Sequence, residues 1–503
     1  MIDETHVKQE AEDRGANRSH RPTSRAFREF IAKGWAERPA ADPRQLPVAP
    51  FAAERRAALS AKFPGARLVI PAGPLKVRSN DSDYRFRPHS AFAHLTGFSA
   101  DQEPDAVLVM EPHDDGHDAV LFFRPRAERD TEEFYADARY GELWVGVRPS
   151  LEEIENQFGI TARHLDEAKD AVTKDAAGIQ VLIVREADLL YDGLLDAARS
   201  AAGRDLEAEI TADAELNQEV SELRLIKDDY EAEQMREAVA ITATGFDEIV
   251  KALPEALRHR RGERVVQGAF EAHARTEGYG VGYDTIAASG NHACTLHWIR
   301  NDGAMDESDL ILVDAGAEAD SLYTADVTRT IPLSGTFSEQ QRKVYEAVLE
   351  AADAAFELAA QHATRTVLFK DVHAAAMKVI TARLEEWGLL PGTAEESLDP
   401  EGQFHRRWMV HGTSHHLGID VHDCAQARRE MYLDAKLTEG MVFTIEPGLY
   451  FKADDLLAPE ELRGIGVRIE DDILLTSSGA ENLSLAIPRT LADVEAWVSG
   501  LRA

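Results

Sequence analysis

Residues 310–316 read LILVDAG, and residues 324–330 read TADVTRT. Each segment is β-prone and contains one aspartate, and these two aspartates, Asp314 and Asp326, are twelve positions apart. A turn near residues 319–321 would make the segments an antiparallel hairpin, in which two carboxylates can face each other across the ladder. Buried like charges at that distance cannot both stay ionised without a cation. The hairpin therefore predicts a cation site.

Two further apolar segments each contain a candidate carboxylate ligand. VFTIEPG (442–448) has Glu446 at the end of a strand, before a Pro-Gly stop. In GIGVRIEDDILL (464–475), two-residue periodicity puts Arg468 and Glu470 on the face opposite their apolar neighbours. Each carboxylate taken singly is more simply a solvated residue at a strand end. Three such strands in one domain favour a shared site instead.

Residues 410–423, VHGTSHHLGIDVHD, contain four of the eighteen histidines of the chain. Such a cluster is typical of metal binding, proton transfer or ligand contact. A zincin-like helix is excluded, because Gly412 and Gly418 weaken a helix and no glutamate follows His411.

The charges of the carboxylates predict how much metal the site holds. Asp314, Asp326, Glu446 and Glu470 supply four negative charges, which two divalent cations would balance. With His415 the set is mostly oxygen with one imidazole, which suits manganese, cobalt or catalytic zinc better than structural zinc. Two neighbouring metals can share a bridging water and lower its pKa, so the predicted reaction is hydrolysis.

The composition limits the class of protein. A chain of 503 residues with 44% hydrophobic and 29% charged residues is expected to form two globular domains. A net charge of −35 repels phosphate backbones and argues against nucleic acid as a partner. No apolar run reaches membrane-spanning length, and the N-terminus has no hydrophobic signal region. Two cysteines, Cys294 and Cys424, are expected to be small buried residues, and we expect a reducing, cytoplasmic location.

The chain is predicted to have three regions. Residues 1–45 form a polar extension with one helix around Ala26–Trp35, residues 46–215 an α/β domain, and residues 216–495 the catalytic domain. An acidic stretch, residues 203–223, is expected to link the two domains. The predicted strands of the first domain are RLVIP (67–71), DAVLVM (105–110), AVLFF (119–123) and QVLIV (180–184). In the second domain we expect a helix capped by Asp228, helices over 338–361 and 371–387, and an exposed loop over 391–403.

The motifs LILVDAG, DVTRT, HGTSHHLGIDVHD, TIEPGLY and GVRIEDD resemble, in that order, the signatures of Xaa-Pro aminopeptidases and prolidases. These belong to the "pita-bread" metallopeptidases. The likeness covers residues 222–485, and SNDSDYRFRPHSAFAHLTGF (79–98) resembles the Xaa-Pro aminopeptidase branch. The implied fold is an α/β N-terminal domain followed by an α+β pita-bread (creatinase/aminopeptidase-like) catalytic domain.

The resemblance also implies a role for each metal ligand. Two divalent metal ions, usually Mn²⁺ in this branch, would be bound. Asp314 would hold one, Asp326 and Glu470 would bridge both, and His415 and Glu446 would complete the other. Glu446 would also take the proton from the bridging water.

The resemblance assigns the remaining residues to the substrate. His411, His422 and His297 would line the substrate cleft, with His422 stabilising the oxyanion. Tyr450 and Arg468 would buttress the pocket and the ligands. His416 is expected to pack beside the site. The spacing of Asp314 and Asp326 is one residue longer than the family pattern, and a bulge or longer turn could absorb it; Asp320 is a disfavoured substitute ligand.

The predicted function is release of the N-terminal residue from peptides with proline second, by attack of a water or hydroxide bridging two metals. A prolidase, which cleaves only Xaa-Pro dipeptides, is the alternative within the enzymes. A metal-free binding protein on the same fold is a third reading, against which the intact ligand set argues. The predicted partners are such peptides and a second copy of the chain in a dimer or tetramer, with no membrane.

Overall fold

The structure is a computed structural model, in which residue 22 and residues 24–502 are described. The chain divides into two units, the first ending at Val220 and the second beginning at Ser221. Of the predicted extension over residues 1–45, residue 22 and residues 24–45 are described. The helix expected there is present as α1 (Arg25–Ile31). Among the described residues, no helix combines the length and the apolar character needed to cross a membrane.

The first unit is built on a five-stranded mixed sheet in the order β6-β5-β4-β1-β7. Apolar side chains on one side of this sheet and on the neighbouring helices form a core that includes Val69, Phe122 and Leu195. The strands of the unit are β1 (Arg67–Pro71), β2 (Val77–Ser79), β3 (Ser82–Asp83), β4 (Val107–His113), β5 (Gly116–Phe123), β6 (Thr161–His164) and β7 (Val181–Ile183). The later helices are α2 (Val48–Lys62), α3 (Ser90–Thr96), α4 (Glu132–Ala136), α5 (Glu142–Val145), α6 (Leu151–Phe158), α7 (Ala168–Thr173), α8 (Leu189–Ala201) and α9 (Leu206–Glu222).

All four strands predicted in this unit are present, and sequence reasoning missed three others. Strand β6 reads TARH, and only Ala162 within it is buried, so no apolar run marks it. The hairpin of β2 and β3 is short and largely exposed. The stretch predicted as a linker is mostly helical, since α9 runs through it and across the boundary between the units.

The second unit combines long helices with small antiparallel sheets, as the predicted pita-bread fold requires. Helix α10 begins with the expected cap: the Asp228 carboxylate accepts from the Glu231 backbone N–H, and Glu231 returns the bond. The helices are α10 (Asp229–Ala256), α11 (Gly262–Glu277), α12 (Glu339–Ala360), α13 (Phe369–Glu386), α14 (Ala394–Leu398) and α15 (Leu491–Leu501). The strands are β8 (Gly280–Val281), β9 (Ile286–Ser289), β10 (Leu310–Ala315), β11 (Ala317–Glu318), β12 (Val327–Pro332), β13 (Val442–Ile445), β14 (Gly448–Phe451), β15 (Ile465–Arg468), β16 (Asp471–Thr476) and β17 (Gly479–Asn482).

The predicted hairpin exists, but its two aspartates are not cross-strand partners. Strands β10 and β12 are antiparallel with Asp314 opposite Thr328, and Asp326 lies just before β12. The expected turn is present, since the Leu322 N–H donates to the Ala319 carbonyl. Asp320 is exposed in this turn, which removes it as a substitute ligand.

The segment GIGVRIEDDILL was expected to be one strand and is instead shared between two sheets. Strand β15 pairs with β14, and β16 pairs with β13 and β17. Glu470 lies between them, and its backbone N–H donates to the Thr328 carbonyl at 3.1 Å. This crossing brings the ends of three sheets to one place in the second unit. The loop over 391–403 contains α14, whose Ser397 is fully buried, so it is only partly exposed.

Candidate active site

The carboxylates predicted as ligands meet an imidazole where these sheets converge. One ligand atom each from Asp326, His415 and Glu470 lie within 4.8 Å of one another, so the three could hold one metal ion. His415 Nε2 is 3.3 Å from Asp326 Oδ2 and 3.6 Å from Glu446 Oε1. Four of the five residues predicted as ligands are thus in direct proximity.

Asp314 joins this group through Tyr283, a residue that sequence reasoning missed. The Tyr283 hydroxyl is 2.6 Å from Asp314 Oδ1 and 2.5 Å from Asp326 Oδ1. A phenol has one proton and can donate to only one ionised carboxylate at a time, so the two aspartates compete for it. No local signal in the sequence marks Tyr283: it precedes β9, and only the pairing of Ile286 with Asp314 brings it to the site.

Threonine hydroxyls orient the ligands. Thr328 Oγ1 donates to Glu470 Oε2 at 2.6 Å and accepts from Arg468 Nε at 3.0 Å. Thr444 Oγ1 accepts from the His415 backbone N–H at 3.2 Å, and the Thr444 N–H returns a bond to the His415 carbonyl. These bonds hold the Glu470 side chain and the His415 backbone in place, which orients both predicted ligands.

The tautomer of His415 suits a metal ligand. Its Nδ1 is 3.2 Å from the carbonyl oxygen of His416, which can only accept, so Nδ1 carries the proton in this contact. Nε2, which faces the carboxylates of Asp326 and Glu446, is then the nitrogen left for a metal, which would displace the proton that Nε2 holds in the metal-free protein. An imidazole ligand oriented by a carbonyl at its other nitrogen is a common arrangement in metal sites.

The electrostatics of the cluster show an excess of buried negative charge. Burial, reinforced by Asp326, raises the pKa of Glu470 well above its ordinary value. Burial raises the pKa of Glu446 to about 7, although His415 and Arg468 oppose the change. For His415, Asp326 and Glu446 outweigh burial and raise the pKa to about 9. All three groups therefore hold protons more tightly than usual, because burial of the two glutamates and the carboxylates around all three groups disfavour further negative charge.

The predicted substrate residues border this cluster. His411 Nε2 is 2.7 Å from the Tyr450 hydroxyl, and Arg468 Nη1 donates to the same hydroxyl at 3.2 Å. Burial and the Arg468 charge lower the pKa of His411 to about 3, so this imidazole is neutral. The His422 ring meets the His415 ring edge to face at 4.5 Å. His422 and His297 are both exposed, and His297 is close enough for its charge to lower the pKa of His411 and of His422.

His416 faces away from the carboxylates. It is fully buried and stacks on Phe369, with ring centroids 4.7 Å apart. Among the described residues its ring nitrogens have no hydrogen-bond partner, and burial lowers its pKa to about 3.

The two thiols are buried as expected, and burial raises the pKa of Cys294 to about 12. Neither property suits a metal ligand.

Two family models match the chain. Residues 233–477 match metallopeptidase family M24, and residues 52–183 match the N-terminal domain of aminopeptidase P. Xaa-Pro aminopeptidase 1 of Streptomyces coelicolor is 48% identical over 476 residues, which cover 94% of this chain and 92% of that protein. The chain belongs to the Xaa-Pro aminopeptidases of metallopeptidase family M24.

More distant relatives agree with this placement. The Xaa-Pro aminopeptidase of Escherichia coli is 32% identical over 90% of this chain and 98% of that protein. The structure of Pseudomonas aeruginosa aminopeptidase PepP matches with a TM-score of 0.77 at 31% identity, covering 91% of this chain and 99% of that chain. A zinc-substituted E. coli aminopeptidase P in complex with product matches with a TM-score of 0.76 at 30% identity, covering 90% and 98%.

Membership of a metallopeptidase family and the donor set at this site agree. Four carboxylates and one imidazole converge, and Arg468 contacts one of the carboxylates, Asp314. Such a set fits divalent cations that prefer oxygen with some nitrogen. The protein is a metal-dependent hydrolase, and the predicted fold, of an aminopeptidase P N-terminal domain followed by a pita-bread catalytic domain, is confirmed.

Proposed function

We propose that this protein is a metal-dependent Xaa-Pro aminopeptidase, which releases the N-terminal residue from peptides with proline second. The observation that carries the proposal is the convergence of Asp326, His415 and Glu470 in a chain of this family. Relatives named Xaa-Pro aminopeptidase cover nearly all of the chain, so both domains are included in the inference.

We propose two divalent ions, manganese in the cell, for this site. Asp314 would hold one, Asp326 and Glu470 would bridge both, and His415 and Glu446 would complete the other. The charges support this count, because Arg468 and a protonated His415 supply two positive charges beside the four carboxylates. Burial, together with the neighbouring carboxylates, raises the pKa of both Glu446 and Glu470, so both groups would gain from added positive charge.

When bound, such ions lower the pKa of a water and polarise the scissile carbonyl. Glu446, whose pKa lies near neutrality without metal, accepts the proton of the attacking water and passes it to the leaving proline nitrogen. His422, which is exposed at the cleft, donates a hydrogen bond to the oxyanion that develops on the carbonyl. Tyr450 and Arg468 hold the neutral His411 in place beside Glu446, with His411 Nδ1 3.6 Å from Glu446 Oε2.

The prolidase alternative requires a cation for the carboxylate that follows proline, and bidentate arginine is the usual means. The candidates for this cation are Arg428 and Arg429, which precede the strand of Glu446 in the sequence, and both are already bound to acids. Arg428 Nε donates to Glu222 Oε1 at 2.7 Å, and Arg429 Nε donates to Asp434 Oδ2 at 2.9 Å. If either arginine bound the substrate carboxylate, its acidic partner would lose its ion pair. These pairs therefore support a cleft that accepts peptides longer than a dipeptide.

Three further properties belong to the proposal. We expect a homo-oligomer, a dimer or tetramer, and a cytoplasmic location. The domain boundaries we propose are residues 46–215 and 216–495. The composition supports the location, since two buried thiols require no oxidising compartment.

The test is hydrolysis of Ala-Pro-Ala by metal-depleted protein before and after Mn²⁺ is restored. We expect release of free alanine only in the second case, and little release from Ala-Ala-Ala. Equal activity with and without metal, or equal cleavage of the two peptides, would overturn the proposal.

A further inference from the structure

A buried carboxylate organises the segment that carries His297. Glu263, in the first turn of α11, is fully buried. Its Oε1 accepts from the Ser289 backbone N–H at 2.9 Å and from His292 Nδ1 at 2.7 Å. Each oxygen of a carboxylate can accept two hydrogen bonds, so Oε1 is fully used.

The second oxygen of Glu263 reaches the far end of the same segment. Oε2 accepts from Trp298 Nε1 at 3.0 Å and from the Gly303 backbone N–H at 2.6 Å. Position 303 suits glycine, because a Cβ there would lie 2.7 Å from Oε2. One side chain therefore satisfies four donors spread over residues 289–303, a stretch with no strand of its own after Ser289.

These bonds fix the backbone next to His297. Trp298 follows His297 directly, and its ring stacks on His292 with centroids 3.9 Å apart. On the other side, the segment lies tightly against β15, since a Cβ at Gly466 would be 2.6 Å from the Ala293 backbone. The His297 side chain is exposed, so the direction it takes depends on this backbone.

We propose that Glu263 is a positioning residue for His297, acting through Trp298 and His292 to aim that imidazole into the substrate cleft. The proposal rests on the role of His297 in the proposed function. Glu263 itself touches neither the substrate nor the metal ligands named above. Its effect is on substrate placement and not on metal binding.

The first test is Glu263→Gln, which keeps the shape but puts an amide NH₂ against two donors. We expect kcat/KM for Ala-Pro-Ala to fall about 10- to 100-fold, the scale of a small misplacement of a catalytic group. Metal content should be unchanged. If Glu263→Gln does not fold, Trp298→Phe removes a single donor and should give a smaller loss of the same kind.

A double-mutant cycle separates positioning from a general structural role. In a His297→Ala background, Glu263→Gln should cost less than about threefold in kcat/KM, because the group it positions is gone. Glu495→Gln is the matched control: Glu495 in α15 accepts from the Phe337 N–H at 3.0 Å, and its loss should lower the melting temperature while leaving kcat/KM near normal. Additive losses in the cycle would overturn the positioning role.

The two proposals fail in different ways. If the native protein does not cleave Ala-Pro-Ala, or if His297→Ala is fully active, the proposed function or the role of His297 is wrong. If the native protein is active and His297→Ala is impaired, but Glu263→Gln and Trp298→Phe keep the native rate, only the role of Glu263 is wrong.

Discussion

Arg468 Nη2 lies 2.6 Å from Asp314 Oδ2, and both side chains are almost entirely buried. Burial alone would discharge the carboxyl, and it raises the pKa of Asp314, but the guanidinium opposes that shift. Arg468 also donates hydrogen bonds to the Tyr450 hydroxyl and to the Thr328 hydroxyl. The Thr328 hydroxyl in turn donates to the Glu470 carboxylate. One arginine thus connects two proposed metal ligands with Tyr450, which we propose lines the substrate pocket.

Replacement of this arginine should affect metal binding and catalysis together. Arg468→Lys keeps the charge but loses the planar fork that reaches three partners at once. We expect Mn²⁺ affinity to fall and kcat/KM for Ala-Pro-Ala to fall about 10²-fold or more, as is typical for lost preorganisation. Titration of metal-depleted protein with Mn²⁺, followed by activity, measures both. Arg463→Lys, whose Nε donates to the Ala458 carbonyl, should behave as the native protein; equal behaviour of the two variants would contradict the assignment.

Metal content is the second prediction. We expect the purified protein to bind close to two divalent ions and to lose activity to a chelator. Glu470→Ala should be among the worst single changes, because it removes a bridge and leaves two cations under-neutralised. Asp320→Ala, in the exposed turn between β11 and β12, is the control and should keep both ions. Elemental analysis that finds two ions in Glu470→Ala would show that the site is misplaced.

The histidines should separate into ligand and non-ligand. His415→Ala is expected to lose metal, since its Nε2 faces Asp326 and Glu446. His422→Ala should keep the metal and lose about 10²–10³ in kcat, the usual cost of one oxyanion donor. Parallel measurement of metal content and single-turnover rate distinguishes them. Similar metal content in both variants would refute the division.

Substrate length is the fourth prediction. Tripeptides such as Ala-Pro-Ala should be cleaved at the Xaa-Pro bond in preference to the dipeptide Ala-Pro. A dipeptide places a carboxylate directly after proline, and Arg428 and Arg429 are engaged by Glu222 and Asp434. The measurement is kcat/KM for the two peptides under identical Mn²⁺ conditions. A preference for Ala-Pro would identify a prolidase.

The stabilisation by metal should depend on pH. In the metal-free protein, burial raises the pKa of Glu446 from 4.5 to about 7, and Asp326 helps to raise that of His415 from 6.5 to about 9. The metal-free folded state therefore binds more protons than the unfolded state, so these two groups make it less stable as pH rises through those windows. Metal binding displaces the protons and is favoured at higher pH.

We therefore expect the rise in melting temperature on adding Mn²⁺ to increase from about pH 5 to about pH 8. Scanning fluorimetry of metal-depleted protein with and without Mn²⁺ measures this difference in melting temperature. The effects of titratable groups outside the site are the same in both samples and cancel in the difference. Glu446→Gln should flatten the dependence over the lower part of that range. A rise that is constant with pH would contradict the assignment of these groups to the metal site.

The sequence predicted the elements of this site because their signals are local. Apolar runs ending in an acid marked the strands that carry Asp314 and Glu446, and two-residue periodicity placed Arg468 and Glu470 on one face. The cap at Asp228 and the helices near residues 338–361 and 371–387 also follow from short-range rules, and the structure confirms them. The family resemblance supplied the roles that these local signals could not.

Other features had no local signal in the sequence. Tyr283 and Glu263 look like ordinary residues at a strand start and a helix start, yet they contact residues between 26 and 43 positions away. The segment 464–475 looks like one strand, and only its neighbours decide that it serves two sheets. The sequence by itself determined which residues are apolar, which are acidic and where helices begin. The tertiary structure decided which acids share one buried space, because that depends on how separate sheets pack and on where each buried charge finds its partner.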